Sequence, residues 1–334
     1  MKALRSLLVM LGVGAACMTA AADPVARPID IHWNQGAEDC KKTPQPPLQV
    51  YAYDAQTYIL RESPCATFEA PFMYLLIGSQ KALMIDTGDV ADPAAVPLAS
   101  TVMKLLPGEG AAKLPLIVVH THGHLDHRAG DPQFKVLPNV QVAGTDLEHV
   151  KQFFGFNDWP NGVDHIDLGG RVVDVMPTPG HYPSHVSYYD GNTGLFFSGD
   201  FFMPARLLID NKDEDVASAK RVAEFIKDRP VTYVLGGHVE LDANGNTFDF
   251  GSTYHPNEHV LQLTKQDLLG LPAIVSQFNG FYNQRGMYVM MDQYRVLIAQ
   301  LVGLLLVVGT IITLIWRFVR GRRRRRRAMA LQAA

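Results

Sequence analysis

The sequence predicts an α/β domain followed by a single transmembrane helix. Short apolar strands alternate with amphipathic helical segments through residues 48–267, a pattern typical of α/β folds. Polar or histidine residues directly follow several of these strands, which predicts a site along one edge of a sheet. Residues 296–316 form an uncharged apolar run that is long enough to cross a bilayer.

The first 22 residues have the pattern of a secretory signal peptide. Two basic residues precede an apolar run, and small residues stand before Asp23 as they do at cleavage sites. Cys17 leaves lipidation open as an alternative interpretation, because the residues before it partly resemble a lipoprotein signal. Either interpretation directs the following chain out of the cytoplasm.

The other end has the pattern of a stop-transfer anchor. Eight arginines follow residue 316, six of them consecutive at 322–327, and basic residues flank membrane helices on the cytoplasmic side. We therefore expect a single-pass protein of the inner membrane. Its folded domain would lie in the periplasm or outside the cell, and its tail at 317–334 in the cytoplasm.

The charge distribution excludes nucleic acid as an expected partner. Ten of the 30 basic residues lie in the two ends, and all 33 acidic residues lie between them, so residues 23–316 carry a net charge of about −13 with histidine neutral. An acidic domain repels a phosphate backbone. It suits the binding of cations.

Two cysteines remain between the two ends, Cys40 and Cys65. An even pair in an oxidising compartment predicts a disulfide. Two buried free thiols are the alternative. Neither cysteine belongs to the histidine motifs, so neither is assigned to a metal.

One helical segment has a predicted cap: Thr145 and Glu148 have capping-box spacing at its start.

The remaining chain divides by composition. Residues 270–294 leave two readings open, a membrane-surface segment or the completion of the globular fold. The predicted organisation is a signal peptide at 1–22, an extended lead-in at 23–47, the main domain at 48–267, a juxtamembrane segment at 268–295, a transmembrane helix at 296–316 and a basic tail at 317–334.

Four histidines and one aspartate occur within the eight residues from His120 to His127. His122 and His124 are separated by one glycine, so both rings can project to one side of an extended segment and meet one cation. Asp126 and His127 follow where a helix is predicted to begin, and they point to a neighbouring position. His120 ends an apolar strand and is interpreted as part of the wall.

This string and four further motifs resemble the metallo-β-lactamase superfamily of metallohydrolases. The motifs run in order from MIDTG through HGHLDH, TPGH and SGD to LGGH, and the similarity extends from about Tyr74 to His238. The resemblance implies an αβ/βα four-layer sandwich within the α/β class.

The resemblance also implies two metal ions bound by imidazoles and carboxylates. Five imidazoles and two carboxylates are the donor mixture expected for zinc, so we expect two Zn²⁺ per chain, with iron or manganese as alternatives. The implied ligands are His122, His124 and His181 for one metal, Asp126, His127 and His238 for the other, and Asp200 as the bridge.

Two such metals would share a water, lower its pKa towards about 7 and present hydroxide to a carbonyl or phosphoryl centre. In the implied reaction Asp126 or Asp200 accepts a proton as the intermediate collapses. Asp86 is expected to fix a ligand or its loop through hydrogen bonds. His185 resembles a histidine that flanks the site in hydroxyacylglutathione hydrolases, and either that role or plain packing stays open.

Residues next to the implied ligands are candidates for the substrate pocket. Tyr182 and Phe202 could line it, and Arg206 could bind a carboxylate or phosphate of a small-molecule substrate. The aromatic segment at 153–159 could form a lid over the metals or pack in the core.

The motifs favour an extracytoplasmic hydrolase of an ester, lactone, thioester or amide. Asp200 in SGD resembles hydroxyacylglutathione hydrolases and lactonases, whereas zinc β-lactamases usually place cysteine or serine near this position. Three alternatives stay open: a true zinc β-lactamase, a catalytically silent membrane-tethered binding module, and a mononuclear-iron oxygenase resembling persulfide dioxygenases, which needs only His122, His181 and Asp200.

Overall fold

The computed structural model of this protein describes residues 24–332, so the predicted signal peptide and Cys17 lie outside the described residues. Two six-stranded sheets form the centre of the fold. The strands of the first sheet are, in spatial order, β1 (Leu48–Asp54), β2 (Thr57–Glu62), β3 (Phe72–Ile77), β4 (Ala82–Ile85), β5 (Leu116–Val119) and β6 (Val140–Val142). Those of the second are β13 (Gln262–Leu263), β12 (Tyr233–Gly236), β10 (Leu195–Gly199), β9 (Val186–Asp190), β8 (Val172–Pro177) and β7 (Asp164–Asp167).

Alternation of side chains along the strands separates the core into layers. Phe72 and Tyr74 of β3 pack between the two sheets, together with Phe197 from β10. The alternate residues Met73 and Leu75 of β3 pack on the outer face of the first sheet. Because successive side chains of a strand point to opposite faces, each apolar strand is buried on both sides and contributes to two cores.

Helices cover both outer faces. The outer face of the first sheet packs against α1 (Leu98–Leu105) and α2 (Asp131–Lys135). The outer face of the second sheet packs against α4 (Lys212–Ile226) and α5 (Lys265–Ser276), while α3 (Leu147–Phe154) packs into the core between the sheets. The order helix, sheet, sheet, helix confirms the predicted αβ/βα sandwich.

A third, smaller sheet joins the domain to the last helix. Its strands, in spatial order, are β11 (Arg206–Leu208), β15 (Tyr288–Met291) and β14 (Tyr282–Arg285). The helix α6 (Gln293–Gln332) begins directly after β15, and by length and composition its Gln293–Arg325 portion is apolar enough to cross a membrane. The predicted span at 296–316 lies inside this helix.

The structure differs from the predicted boundary between residues 267 and 268. Helix α5 runs through this boundary and packs on α4, with Leu268, Leu271 and Val275 buried. The hairpin of β14 and β15 then pairs with β11. Of the two readings left open for this stretch, completion of the globular fold is therefore the one observed. The segment packs on the domain because its apolar side chains are buried there.

The predicted capping box at Thr145 is wrong by one residue. Asp146 precedes α3 in an extended conformation, and its side chain accepts a hydrogen bond from the backbone N–H of His149. This satisfies one of the free N–H groups of the first turn.

A disulfide joins Cys40 and Cys65, with their Cα atoms 5.5 Å apart.

Candidate metal centre

Seven histidine and aspartate side chains meet where strands of both sheets end. They lie in the loops that follow β5, β8, β10 and β12. Their potential ligand atoms form two groups, each within 4.8 Å: His122, His124 and His181 in the first, and Asp126, His127, Asp200 and His238 in the second. Each group could hold one metal ion.

Three ring nitrogens converge in the first group. His122 Nε2 lies 2.9 Å from His124 Nδ1, and His181 Nε2 lies 3.2 Å and 3.1 Å from these two atoms. His181 Nδ1 donates to the carbonyl of Leu208 at 2.8 Å, so its Nε2 presents a lone pair. Lone pairs that face one point repel one another, and a cation at that point removes the repulsion.

The second group combines two imidazoles with carboxylates. His238 Nε2 lies 3.2 Å from His127 Nε2 and 3.1 Å from Asp126 Oδ2. The opposite nitrogen of each ring is already used, since His238 Nδ1 donates to the carbonyl of Glu69 at 2.7 Å and His127 Nδ1 donates to Asp86 at 2.9 Å. Both rings therefore direct Nε2 towards the same point.

Asp200 stands between the two groups. Its Oδ1 lies 3.4 Å from His127 Nε2 and its Oδ2 lies 3.8 Å from His181 Nε2. Oδ1 is buried and has no hydrogen-bond partner among the described residues, a costly state for a carboxylate oxygen unless a cation balances it. A Cβ at Gly237 would lie 2.3 Å from this oxygen, so glycine is required beside it.

Burial keeps the imidazoles of His122 and His124 neutral. It lowers the pKa of His122 well below its usual range and lowers the pKa of His124 to about 4. Both rings are therefore uncharged at pH 7, the form that binds metals.

Both carboxylates of the second group are ionised. Burial opposes ionisation of Asp126 and Asp200, but the imidazole of His127 and that of His238 hold both carboxyl pKa values well below their usual range. In the other direction, burial opposes the charged form of His238, but Asp200 and Asp126 raise its pKa to about 10. The two carboxylates stabilise a positive charge beside them, so the donor chemistry fits a divalent cation, which would replace the imidazole proton.

Asp86 fixes the start of the histidine loop. Its carboxylate accepts hydrogen bonds from the backbone N–H of Thr121 at 2.7 Å and from the Thr121 hydroxyl at 2.9 Å, besides the bond from His127. Asp86 has a φ of +64°, a conformation that is unusual for a residue with a side chain. Three hydrogen bonds to one carboxylate hold it there and orient His127.

Two further histidines of the motifs, His120 and His185, belong to neither ligand group. His120 Nε2 lies 2.8 Å from Asp131 Oδ1, away from both groups. His185 is buried, and its ring stacks on that of His122 with centroids 5.2 Å apart. Thr178 Oγ1 lies 2.8 Å from His185 Nδ1, which holds the His185 ring against that of His122.

The structure places the three predicted pocket residues differently. The Tyr182 ring lies 4.8 Å from that of His124, between centroids. Arg206 lines the cavity above the ligands, and its guanidinium lies 3.2 Å from Glu240. The prediction for Phe202 is wrong: its side chain is fully buried in the core beneath the second sheet, because the turn after β10 directs it towards Tyr288.

The aromatic segment at 153–159 packs in the core and forms no lid. Phe154 and Phe156 are buried in the core between the sheets, and Trp159 packs against Phe156. Aromatic composition alone does not distinguish a lid from core packing.

A cavity of about 740 Å³ opens above the ligands. Sequence reasoning missed several of its walls, including Glu69, Phe250 and the first turns of α6. The sequence carries no signal for Glu69, because its contact with His238 is made by a backbone carbonyl. For α6, the pairing of β11 with β15 brings the helix to the site, and this pairing joins segments about 80 residues apart.

Asp215 in the first turn of α4 supports the loop that carries His181. A Cβ at Gly180 would lie 2.5 Å from the Asp215 Cβ, and burial raises the pKa of Asp215 to about 8. Between about pH 4 and pH 8 the folded chain keeps a proton that the unfolded chain releases. Stability therefore falls as pH rises, by at most about 1.4 kcal/mol per unit.

We expect Asp215→Asn to raise the melting temperature increasingly from pH 5 to pH 8, reaching on the order of 5 °C. Asparagine keeps the shape of the side chain but does not ionise. Thermal melts of both proteins across this range test the prediction. A difference that is the same at every pH would contradict it.

A two-sheet sandwich with histidine and aspartate clusters at its strand ends defines a class of metal-binding folds. A family model described as the metallo-beta-lactamase superfamily matches residues 66–238, more than half of the chain. The chain belongs to the metallo-beta-lactamase superfamily.

Named relatives of the chain are hydrolases. It is 26% identical to a hydroxyacylglutathione hydrolase of Aeromonas hydrophila over 219 residues, which cover 63% of this chain and 78% of that protein. It is also 26% identical to the acyl-coenzyme A thioesterase MBLAC2 of Gallus gallus, covering 54% of this chain and 77% of the relative. A solved metallo beta lactamase from Hirschia baltica aligns with a TM-score of 0.48 at 13% identity, covering 69% of this chain and 98% of the other.

Proposed function

We propose that this protein is a membrane-anchored hydrolase that binds two metal ions and cleaves an ester, lactone, thioester or amide. One observation carries the proposal: Asp200 places a buried carboxylate oxygen without a hydrogen-bond partner in the second ligand group and turns its other oxygen towards His181 of the first. The names of the relatives, a hydroxyacylglutathione hydrolase and an acyl-coenzyme A thioesterase, favour an ester or thioester over an amide.

The proposed ligands are those of the two groups, with Asp200 shared between them. Zinc suits this mixture of imidazole nitrogen and carboxylate oxygen, and iron or manganese are the alternatives. When bound, a pair of divalent cations here would lower the pKa of a shared water and polarise the substrate carbonyl.

The protein's own groups have separate tasks in this proposal. Asp86 and the carbonyls of Leu208 and Glu69 orient three imidazoles so that each Nε2 faces the ligand groups. The partly exposed Asp126, whose side chain is 20% exposed, reaches the cavity floor. It and Asp200 are the carboxylates that can accept the proton released as water adds to the carbonyl.

We place the folded domain outside the cytoplasm and the tail inside it. The signal-like first 22 residues, the arginines after the apolar helix and the disulfide between Cys40 and Cys65 support this arrangement, because disulfides persist in oxidising compartments. A substituted-cysteine accessibility assay or a protease-protection assay on intact cells would report on which side of the membrane the folded domain and the tail lie.

The function is tested on the full-length protein in detergent. We expect about two zinc ions per chain by elemental analysis, and hydrolysis of a panel of soluble esters, thioesters, lactones and β-lactams. A chelator should remove the activity and added Zn²⁺ should restore it. Folded, metal-free protein that hydrolyses the panel equally well would refute the proposal, and a single iron with oxygen-dependent turnover would point to an oxygenase.

A further inference from the structure

The cavity above the candidate ligands shares a wall with the apolar helix α6. Its floor contains His124, Asp126 and His238, and one side is formed by Tyr294, Val296, Leu297 and Gln300. Val296 and Leu297 belong to the uncharged run that crosses the bilayer in the proposed topology. With a rise of about 1.5 Å per residue, the wall from Val296 to Gln300 extends about 6 Å along that run.

Hydrogen bonds fix this arrangement, so α6 is not a loosely attached tether. The His181 ring donates to the carbonyl of Leu208 in β11, and Leu208 pairs with Met291 at the end of β15. Asp292 follows directly and accepts a hydrogen bond from the backbone N–H of Arg295 at 2.9 Å. The candidate metal centre, the third sheet and the start of the helix therefore form one continuous unit.

The rim of the cavity is apolar where it meets α6. Phe250 is 83% exposed, Leu125 is 59% exposed and Leu297 is 53% exposed, and all three line the cavity. Exposed apolar side chains grouped at one opening mark a binding or membrane-contacting surface. Tyr294 in the first turn of α6 and Tyr282 in β14 are also exposed, as aromatic residues are at membrane interfaces.

The charges of the cavity disfavour a strongly anionic head group. Arg206 is the one arginine or lysine among the described residues that line the cavity, and its guanidinium is paired with Glu240. Glu69 adds a further carboxyl group to the wall. A polyphosphate would meet these carboxyl groups without an unpaired arginine or lysine among the described lining residues to bind it.

We propose that the substrate is a membrane-resident acyl ester or thioester with a long chain and a head group of low negative charge. Its acyl chain stays in the bilayer beside the first turns of α6, and its carbonyl reaches the candidate ligands through the apolar rim. This inference rests on the proposed hydrolase function and on the proposed membrane span. It adds the substrate class and the direction of entry.

The first test compares two esters with full-length protein in phosphatidylcholine vesicles. One is 4-nitrophenyl butyrate in the aqueous phase, and the other is 4-nitrophenyl palmitate dissolved in the vesicles. We expect Leu297→Trp to lower the ratio of palmitate to butyrate rates at least tenfold, because the indole fills the mouth beside the helix. Ile298→Trp is the matched control, since Ile298 lies outside the cavity and about 100° further around the helix.

Each outcome of this test decides a separate claim. Equal rate ratios in the two tryptophan variants, with butyrate still hydrolysed, would overturn the inference and leave the hydrolase function intact. Faster hydrolysis of soluble palmitoyl-coenzyme A than of palmitate in vesicles would also overturn it, in favour of a soluble thioester. Failure to hydrolyse any of these substrates would overturn this inference, and failure on the wider panel of lactones and β-lactams as well would overturn the hydrolase function.

A second test is independent of hydrolysis and reports whether the rim touches the bilayer. The fluorescence that Phe250→Trp adds to the parent should be quenched by brominated phosphatidylcholine. Val172→Trp should not be quenched, because Val172 begins β8 at the end opposite the ligand loop, although it too is exposed to solvent, at 43%. Equal quenching of the two added tryptophans, or none at residue 250, would overturn the inference.

Discussion

Replacing Asp200 with asparagine should lower the hydrolysis rate more than 100-fold and reduce the bound metal from about two ions to about one. The side chain keeps its size, but it loses the charge that faces both ligand groups. The first group keeps its three imidazole nitrogen donors. The second group loses one of its two carboxylates, so we expect its metal to dissociate.

Elemental analysis and initial rates, measured on the same preparation, test this result. Asp213→Asn is the control, because Asp213 is an exposed aspartate in the first turn of α4, outside both groups. It should leave the metal content and the rate unchanged. Two bound metals with full activity in Asp200→Asn would show that Asp200 is neither a bridge nor a proton acceptor.

Sequence reasoning reached the layers of the fold because each depends on local patterns. Phe72 to Ile77 form an unbroken apolar strand, and such a strand is buried on both faces. The candidate ligands were predictable for a related reason. They follow strand ends within short motifs, so a few residues of local geometry bring His122, His124 and His127 close together.

What the sequence could not predict depends on contacts between distant segments or on backbone atoms. The three-residue strand β11 is too short to predict, and β14 of the hairpin after α5 is too polar, yet the pairing of β11 with β15 brings α6 to the cavity. Glu69 and Leu208 orient ligands through carbonyl oxygens, which every residue possesses. Phe202 follows a ligand in sequence, but one turn of backbone directs it into the core.

A buried ion pair that joins the two sheets is the second place where a single substitution should have a large effect. Arg171 donates to both carboxylate oxygens of Asp190, at 3.2 Å and 2.7 Å, and both side chains are buried. The same guanidinium donates to the carbonyl of Gln56 and to the hydroxyl of Thr57 at the start of β2. One side chain thus links the second sheet to the first.

We expect Arg171→Met to lower the free energy of unfolding by about 3–5 kcal/mol, because it leaves the Asp190 carboxylate buried without its partner. Urea denaturation in detergent, followed by the fluorescence of the buried Trp33, measures the change. The double variant Arg171→Met with Asp190→Asn removes the unpaired charge as well, so it should recover a large part of the loss. If the double variant is as unstable as Arg171→Met, then lost hydrogen bonds to the first sheet, and not the buried charge, dominate the effect.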